Sequence, residues 1–229
     1  MRGQTGRVPL ARALSKLGFA SRAEAIRLIL AGRVRVDGAL VTDPGRAVVP
    51  ESLRVTIDDA PQARAATHVV LLFHKPRGVV TTRRDPEGRK TVFDVIGDAG
   101  NGLVAVGRLD RASTGLLVLT NDTQLAHRLT DPANRVPRRY AVVVRGRVTP
   151  EDARKLESAA ATVRVRKASA RETHLIVELT EGKNREIRRM FESIGREVTR
   201  LHRIAFGEYE LGDLQPGEWR SVEGRLPSN

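Results

Sequence analysis

Val104-Ala-Val-Gly-Arg-Leu-Asp-Arg-Ala-Ser-Thr-Gly-Leu-Leu-Val-Leu-Thr120 sets two apolar runs on either side of a polar loop, and that loop carries one aspartate, Asp110, between Arg108 and Arg111. Short β-branched and aliphatic runs bounded by glycine read as buried strands. Asp110 then stands at a strand end, where a rigid scaffold presents reactive side chains. The two arginines favour its ionised form and can also hold a phosphate. Turn chemistry alone is the competing account of an Asp in such a loop.

Strand-like composition recurs on both sides, at Val69–Phe73, Leu103–Val106, Gly115–Thr120, Tyr140–Val144, Val163–Val165, His174–Leu179 and Val198–Arg203. Helical spacing falls near Thr91–Ile96, Thr123–Leu129, Pro150–Ser158 and Asn184–Ile194. Thr149-Pro150-Glu151-Asp152 marks a helix start with proline in its first turn. Strands and helices mixed without strict βαβ repetition indicate an α+β domain over residues 68–222.

Residues 8–58 read as a separate unit, helices first and strands after. Leu10, Leu14 and Leu17 share one helical face, which Gly18 ends. Ser21 and Glu24 form a capping-box pattern that opens a second helix, with Ile26, Ile29 and Leu30 on its apolar side and Gly32 closing it. Val34–Val36, the Asp37-Gly38 turn and Ala39–Val41 form a hairpin, and Leu53–Ile57 supplies a third strand. Arg22, Arg27, Arg33 and Arg35 cluster on the second helix and first strand, a pattern that grips phosphates without reading sequence. Residues 59–67 lack periodicity and read as a linker.

Composition narrows the partners. A formal net charge of +13 points to a polyanion. Aromatic residues make up only 3% of the chain, against a recognition sheet that stacks several bases. The absence of cysteine removes disulfides, thiolate metal sites and cysteine nucleophiles, and fits a reducing cytoplasm. The five histidines lack metal-ligand spacing, so no metal site is expected. No apolar run approaches the ~20 residues of a membrane span.

Gly107-Arg-Leu-Asp110 with Ser113-Thr-Gly-Leu-Leu-Val-Leu-Thr-Asn-Asp122 resembles the active-site motif of the pseudouridine synthases. Three further stretches follow that family's pattern in its order: Phe73-His-Lys-Pro-Arg-Gly-Val-Val-Thr-Thr82, Asp85-Pro-Glu-Gly-Arg-Lys-Thr-Val-Phe-Asp94 and Glu181-Gly-Lys-Asn-Arg-Glu-Ile-Arg-Arg-Met-Phe191. The N-terminal unit is similar to the alpha-L RNA-binding motif of the S-four type, as in the ribosomal-RNA branch of the family. The resemblance implies a mostly antiparallel sheet of two ferredoxin-like halves with a central cleft.

It also implies the chemistry. Isomerising uridine to pseudouridine breaks N1–C1′, turns the base and joins C5 to C1′, and no cofactor is called for. By the family pattern Asp110 is essential, as nucleophile or as base, and Arg188 is its cationic partner. Tyr140 stacks on the target base and is placed for proton transfer at C5. Arg108 fills the space left by a flipped base, a step that costs a few kcal/mol. Leu109 and Ile187 line the pocket, and Lys183, Asn184 and Arg185 bind substrate. Asn184-Arg-Glu-Ile-Arg-Arg189 is similar to large-subunit members, where small-subunit enzymes tend to show His-Gln. The expected partner is therefore ribosomal RNA, 23S rather than small-subunit, met by a cytoplasmic monomer. The chain departs from the family at Asn121-Asp-Thr123, at Asp131-Pro-Ala133 and in an arginine for the lysine before Tyr140. A non-catalytic ribosome-binding protein, or a hydrolase using Asp110, are the competing functions. The first has no use for a carboxylate in a phosphate-facing cleft, and the second lacks a base partner.

Overall fold

The computed structural model describes residues 7–17, 19–20, 22–61 and 68–223. The chain divides into two compact units, an N-terminal one and a larger one built from residues 70–120 and 125–223. Gly18 and Ser21, the expected stop and cap, lie outside the described residues.

The N-terminal unit comprises β1 (Val8–Pro9), α1 (Leu10–Lys16), α2 (Arg22–Leu30), β2 (Val34–Val36), β3 (Ala39–Leu40), β4 (Ala47–Val48), β5 (Val55–Ile57) and β6 (Ala60–Pro61). β1 pairs with β4, and β3-β2-β5-β6 form a second small sheet. Leu10, Leu14, Ala25, Ile29 and Val34 are fully buried between helices and sheet. The inward stripe of α2 is thus Ala25 and Ile29, one helical turn apart. Leu30, expected on that stripe, sits 100° further round and is 63% exposed. Asp37 and Gly38 both take positive φ, 51° and 82°, as the two-residue turn between β2 and β3 requires. Asp58 and Asp59 do the same, at 53° and 61°. They close a hairpin that pairs Ala60 with Ile57, so the segment expected as linker begins as a strand, and residues 62–67 lie outside the described part.

The larger unit follows as β7 (Val69–Lys75), α3 (Val92–Ile96), β8 (Val104–Val106), β9 (Thr114–Thr120), α4 (Thr123–Thr130), β10 (Arg138–Arg145), α5 (Pro150–Lys155), β11 (Ala161–Ala168), β12 (Glu172–Leu179), α6 (Glu186–Glu192), β13 (Val198–Phe206), β14 (Tyr209–Glu210) and β15 (Trp219–Glu223). The α5 start is as read from the sequence: Thr149 Oγ1 accepts from Asp152 N at 3.1 Å, and Asp152 Oδ2 accepts from Thr149 N at 3.0 Å. β14 and β15 have no counterpart in the sequence reading, being two residues long and mostly polar respectively.

Nine strands form one mixed sheet in the order β11-β12-β10-β13-β9-β7-β15, with β14 on β13 and β8 on β9. β10, α5, β11, β12, α6 and β13 make a βαββαβ unit in which β10 pairs antiparallel with both β12 and β13, and β11 with β12. That is the ferredoxin-like arrangement. β7, β8, β9 and the late strand β15 repeat the same spatial order, β8-β9-β7-β15. The α+β class and the two halves expected from the family pattern are both present, although the sequence carries no visible repeat.

The halves are joined by the sheet's parallel seam between β9 and β13, which amounts to two residue pairs, His202↔Thr114 and Arg203↔Gly115. A Cβ at Gly115 would lie 2.2 Å from the Arg203 carbonyl oxygen, and the residue takes φ +103°. Only glycine fits there. Each half keeps its own core: Val142, Val144, Val177 and Phe191 on one side, Val70, Leu72, Leu116 and Val118 on the other. Among the described residues no helix is long and apolar enough to cross a membrane.

Gly115→Ala is expected to destabilise the fold by about 4 kcal/mol or more, because backbone must move to admit the methyl. Gly195→Ala is the control: φ is +68° but nothing lies within 4 Å, so only the backbone strain of about 1 kcal/mol applies. Urea unfolding of both variants measures the difference, and equal losses would mean that the seam tolerates a side chain.

Candidate active site

A cleft of about 550 Å3 opens where the halves meet. One wall is the loop from β8 to β9, carrying Gly107, Arg108, Leu109, Asp110 and Ser113. The opposite wall is the segment Glu181–Ile187, and β10 and β13 supply the floor through Arg138, Tyr140, Leu201 and Arg203. Of the residues singled out in the sequence, the cleft brings together Asp110, Tyr140, Arg108, Leu109, Ile187, Lys183, Asn184 and Arg185.

Leu109 fixes where the Asp110 loop lies. Its side chain is 6% exposed and packs into the core of the far half, beside Tyr140, Leu179 and Ile187. The loop from one half is thereby pegged into the other, and Asp110 is carried to the cleft. Tyr140 sits on β10 opposite Val177 of β12 and Arg203 of β13 and lines the cleft. Arg108, Lys183, Asn184 and Arg185 are exposed around the opening. Arg185 adopts φ 52° at the start of α6, and Glu186 accepts from Lys183 N at 3.0 Å, which closes the turn.

Arg188 does not line the cleft. Ile187 and Phe191 are the buried stripe of α6, and Arg188 falls 100° round from Ile187. Its Nη1 donates instead to Val198 O at 2.8 Å. No ion pair joins Arg188 to Asp110 among the described residues. The buried arginines of the cleft are Arg203, 2% exposed, and Arg138, 7% exposed. Arg203 Nε donates to Leu116 O at 2.7 Å across the seam, while its Nη2 is buried without a partner among the described residues. Arg138 donates to Leu129 O at 3.1 Å and Val136 O at 3.2 Å. Both guanidiniums lie over the Phe206 ring, at 5.0 and 4.8 Å. Burial, with Arg203 close by, pushes the Arg138 pKa below its ordinary value.

A third buried cation stands behind the loop. Lys75 is fully buried and its Nζ donates to Ser113 O at 2.9 Å and Pro76 O at 3.0 Å. Burial lowers its pKa from 10.5 to about 8, opposed by the Asp110 carboxylate nearby. At the seam, Thr114 Oγ1 and His202 Nδ1 share a hydrogen bond of 2.8 Å, and the His74 ring lies 5.2 Å from that of His202. Burial, and His74 beside it, hold the His202 pKa below the usual imidazole value. Sequence reasoning singled out neither Arg203 nor Lys75. The available signal was a charged residue on the inward parity of an apolar strand: Arg203 two beyond Leu201, and Lys75 two beyond Phe73.

In the N-terminal unit, Arg33 is held bidentately by Asp58, with Nε to Oδ1 at 2.7 Å, and Arg35 Nε donates to Asp59 at 2.9 Å. Arg22 and Arg27 are exposed and have no ion pair among the described residues.

A loop-borne carboxylate, a tyrosine and two buried arginines thus meet in one cleft, with exposed cations at its edge. The sequence signature of RNA pseudouridylate synthase matches residues 69–193, and that of the S4 domain matches residues 8–53. The chain is 39% identical to a ribosomal large subunit pseudouridine synthase B of Salmonella typhi, over 93% of this chain and 79% of that protein. It is 35% identical to an uncharacterized RNA pseudouridine synthase of Aquifex aeolicus, over 93% and 90%. A crystal structure of a pseudouridylate synthase superposes with a TM-score of 0.63 at 23% identity, covering 94% of this chain and 96% of the other. The chain belongs to the RNA pseudouridylate synthase family, and it is an isomerase of that class with an S4 domain at its N-terminal end.

Lys75 gives a pH test. Because its folded pKa is about 8 against an ordinary 10.5, the fold bears the full cost of a buried ammonium below pH 8. That cost is lifted between pH 8 and 10.5, where folded Lys75 is neutral and the unfolded side chain still binds a proton. The unfolding free energy of wild type should rise relative to Lys75→Met across that window, by on the order of 3 kcal/mol. Parallel pH dependences in urea melts would show that Lys75 titrates normally.

Proposed function

We propose that this enzyme isomerises a uridine of large-subunit (23S) ribosomal RNA, with Asp110 as its catalytic carboxylate. The observation that carries the assignment is Asp110 itself, on a loop pegged by Leu109, lining the same cleft as Tyr140. The large-subunit assignment is supported by the name of the Salmonella relative, and by the likeness of Asn184-Arg-Glu-Ile-Arg-Arg189 to large-subunit members.

The reaction is an internal exchange of bonds. N1–C1′ breaks, the freed uracil turns, C5 bonds to C1′, the proton on C5 leaves and N1 takes one up, so that the formula is unchanged. Asp110 acts on the ribose, as nucleophile or base. Tyr140 stacks on the base and its phenol is the group suited to take the C5 proton. Arg203, with one Nη atom unpartnered, replaces Arg188 as the cation that steadies negative charge in the cleft. Arg108 takes the space vacated by the flipped nucleotide, and Lys183, Asn184 and Arg185 hold the flanking strand. The reading implies a cytoplasmic protein, working as a monomer on free or assembling ribosomal RNA.

Asp110→Asn should abolish isomerisation while leaving fold and RNA affinity near wild type, since charge is lost at almost constant volume. Turnover within tenfold of wild type would place the catalytic carboxylate elsewhere. Mapping pseudouridines in ribosomal RNA from a deletion strain and its complemented control identifies the substrate. A site missing only from small-subunit RNA would overturn the large-subunit assignment.

The arginines of the S4 domain should divide in two. Arg22→Ala with Arg27→Ala removes unpaired cations and should lower the salt slope of RNA binding by roughly 2. Arg33→Ala with Arg35→Ala removes cations already neutralised by Asp58 and Asp59, so the slope should change less. Equal changes in filter-binding titrations would mean that RNA displaces both aspartates.

A further inference from the structure

The Asp110 carboxylate has no hydrogen bond or ion pair among the described residues, so its aim is set by its backbone. That backbone hangs on the segment following β7. Thr81 Oγ1 donates to Leu109 O at 2.9 Å and accepts from Leu109 N at 3.3 Å. Gly78 N donates to Arg111 O at 2.8 Å, and Ser113 N donates to Asp110 O at 3.0 Å within the loop. Lys75 Nζ holds Ser113 O from behind. A single half-buried hydroxyl therefore uses both its donor and its acceptor on the residue immediately before Asp110. Leu109 is fixed twice, by its side chain in the far core and by its peptide groups on Thr81. The core contact fixes where the loop lies. The paired hydrogen bonds fix its rotation about the chain, and with it the direction of the next side chain.

We propose that Thr81 is a positioning residue for the isomerisation: its hydroxyl sets the orientation of the Leu109–Asp110 backbone and so the approach of the carboxylate to the ribose. The proposal rests on the function assigned above to Asp110. Misplacing a reacting group by about 1 Å is enough to cost on the order of a hundredfold in rate. Thr81→Val keeps shape and removes both bonds, whereas Thr81→Ser keeps the hydroxyl and drops the methyl.

The test uses the full chain with a ribosomal RNA fragment containing the modified uridine. In Thr81→Val, kcat should fall roughly tenfold or more, with KM and RNA affinity within about twofold and the melting temperature far above the assay temperature. Thr81→Ser should restore most of kcat. Amide hydrogen exchange over residues 107–113 provides a reading independent of turnover. It should quicken in Thr81→Val and stay near wild type in Thr81→Ser. A wild-type protein that forms no pseudouridine would reject the assigned function and leave the exchange result to judge the clamp. The clamp is overturned by wild-type kcat or unchanged exchange in Thr81→Val. It is equally overturned if Thr81→Ser loses as much as Thr81→Val, since methyl packing would then explain both.

Discussion

Two residue pairs hold the halves of the large sheet together, and one of them works only because residue 115 has no side chain. With the Arg203 carbonyl oxygen 2.2 Å from where a Cβ would stand, the pairing of β9 with β13 leaves no room for a side chain at residue 115. This contact places Arg203 at the floor of the cleft, with Nε on Leu116 O of the opposite strand. It also brings the β8–β9 loop near enough for Leu109 to enter the far core. The cleft is therefore shared across the seam: one half supplies Arg108 and Asp110, the other Tyr140, Arg138, Arg185 and Arg203. Such a division suits a reaction that must hold a ribose still on one side while a base turns on the other.

The electrostatics follow from that geometry. Three cations, Lys75, Arg138 and Arg203, are almost wholly removed from water. None has an acidic hydrogen-bond partner among the described residues, and their donors go mainly to backbone carbonyls. Burying charge without a counter-ion is costly, and the lowered pKa values of Lys75 and Arg138 register that cost. The Phe206 ring, flanked by both arginines, offsets part of it. What remains is a cleft lined by buried positive charge on the β10 and β13 side.

Much of this was legible in the sequence, for physical reasons. Apolar runs bounded by glycine become buried strands whatever their partners, so the strands around Asp110 could be read directly. Turn chemistry is equally local, and Asp37-Gly38 closes the hairpin it suggests. Pairing is not local. Nothing in Trp219–Glu223 announces that the last strand completes the first half of the sheet, because that depends on β7 having a vacant edge. Nor does composition reveal that Asp58 and Asp59 cancel Arg33 and Arg35, since those partners are 25 and 24 residues apart. The number of arginines in the N-terminal unit therefore overstates the unpaired cations it offers a phosphate backbone.

The direction of the Arg188 side chain is set in the same non-local way. Motif order marks the stretch Asn184–Arg189 but not which way each residue faces, and a helix gives adjacent residues directions 100° apart. Ile187 takes the inward direction because the core beneath it is apolar. Arg188 is left to reach Val198 O, at the first residue of β13. That bond ties α6 to the start of the strand which, five residues on, carries Arg203 into the cleft. A sequence pattern marks the arginine without showing that its guanidinium turns to Val198 O.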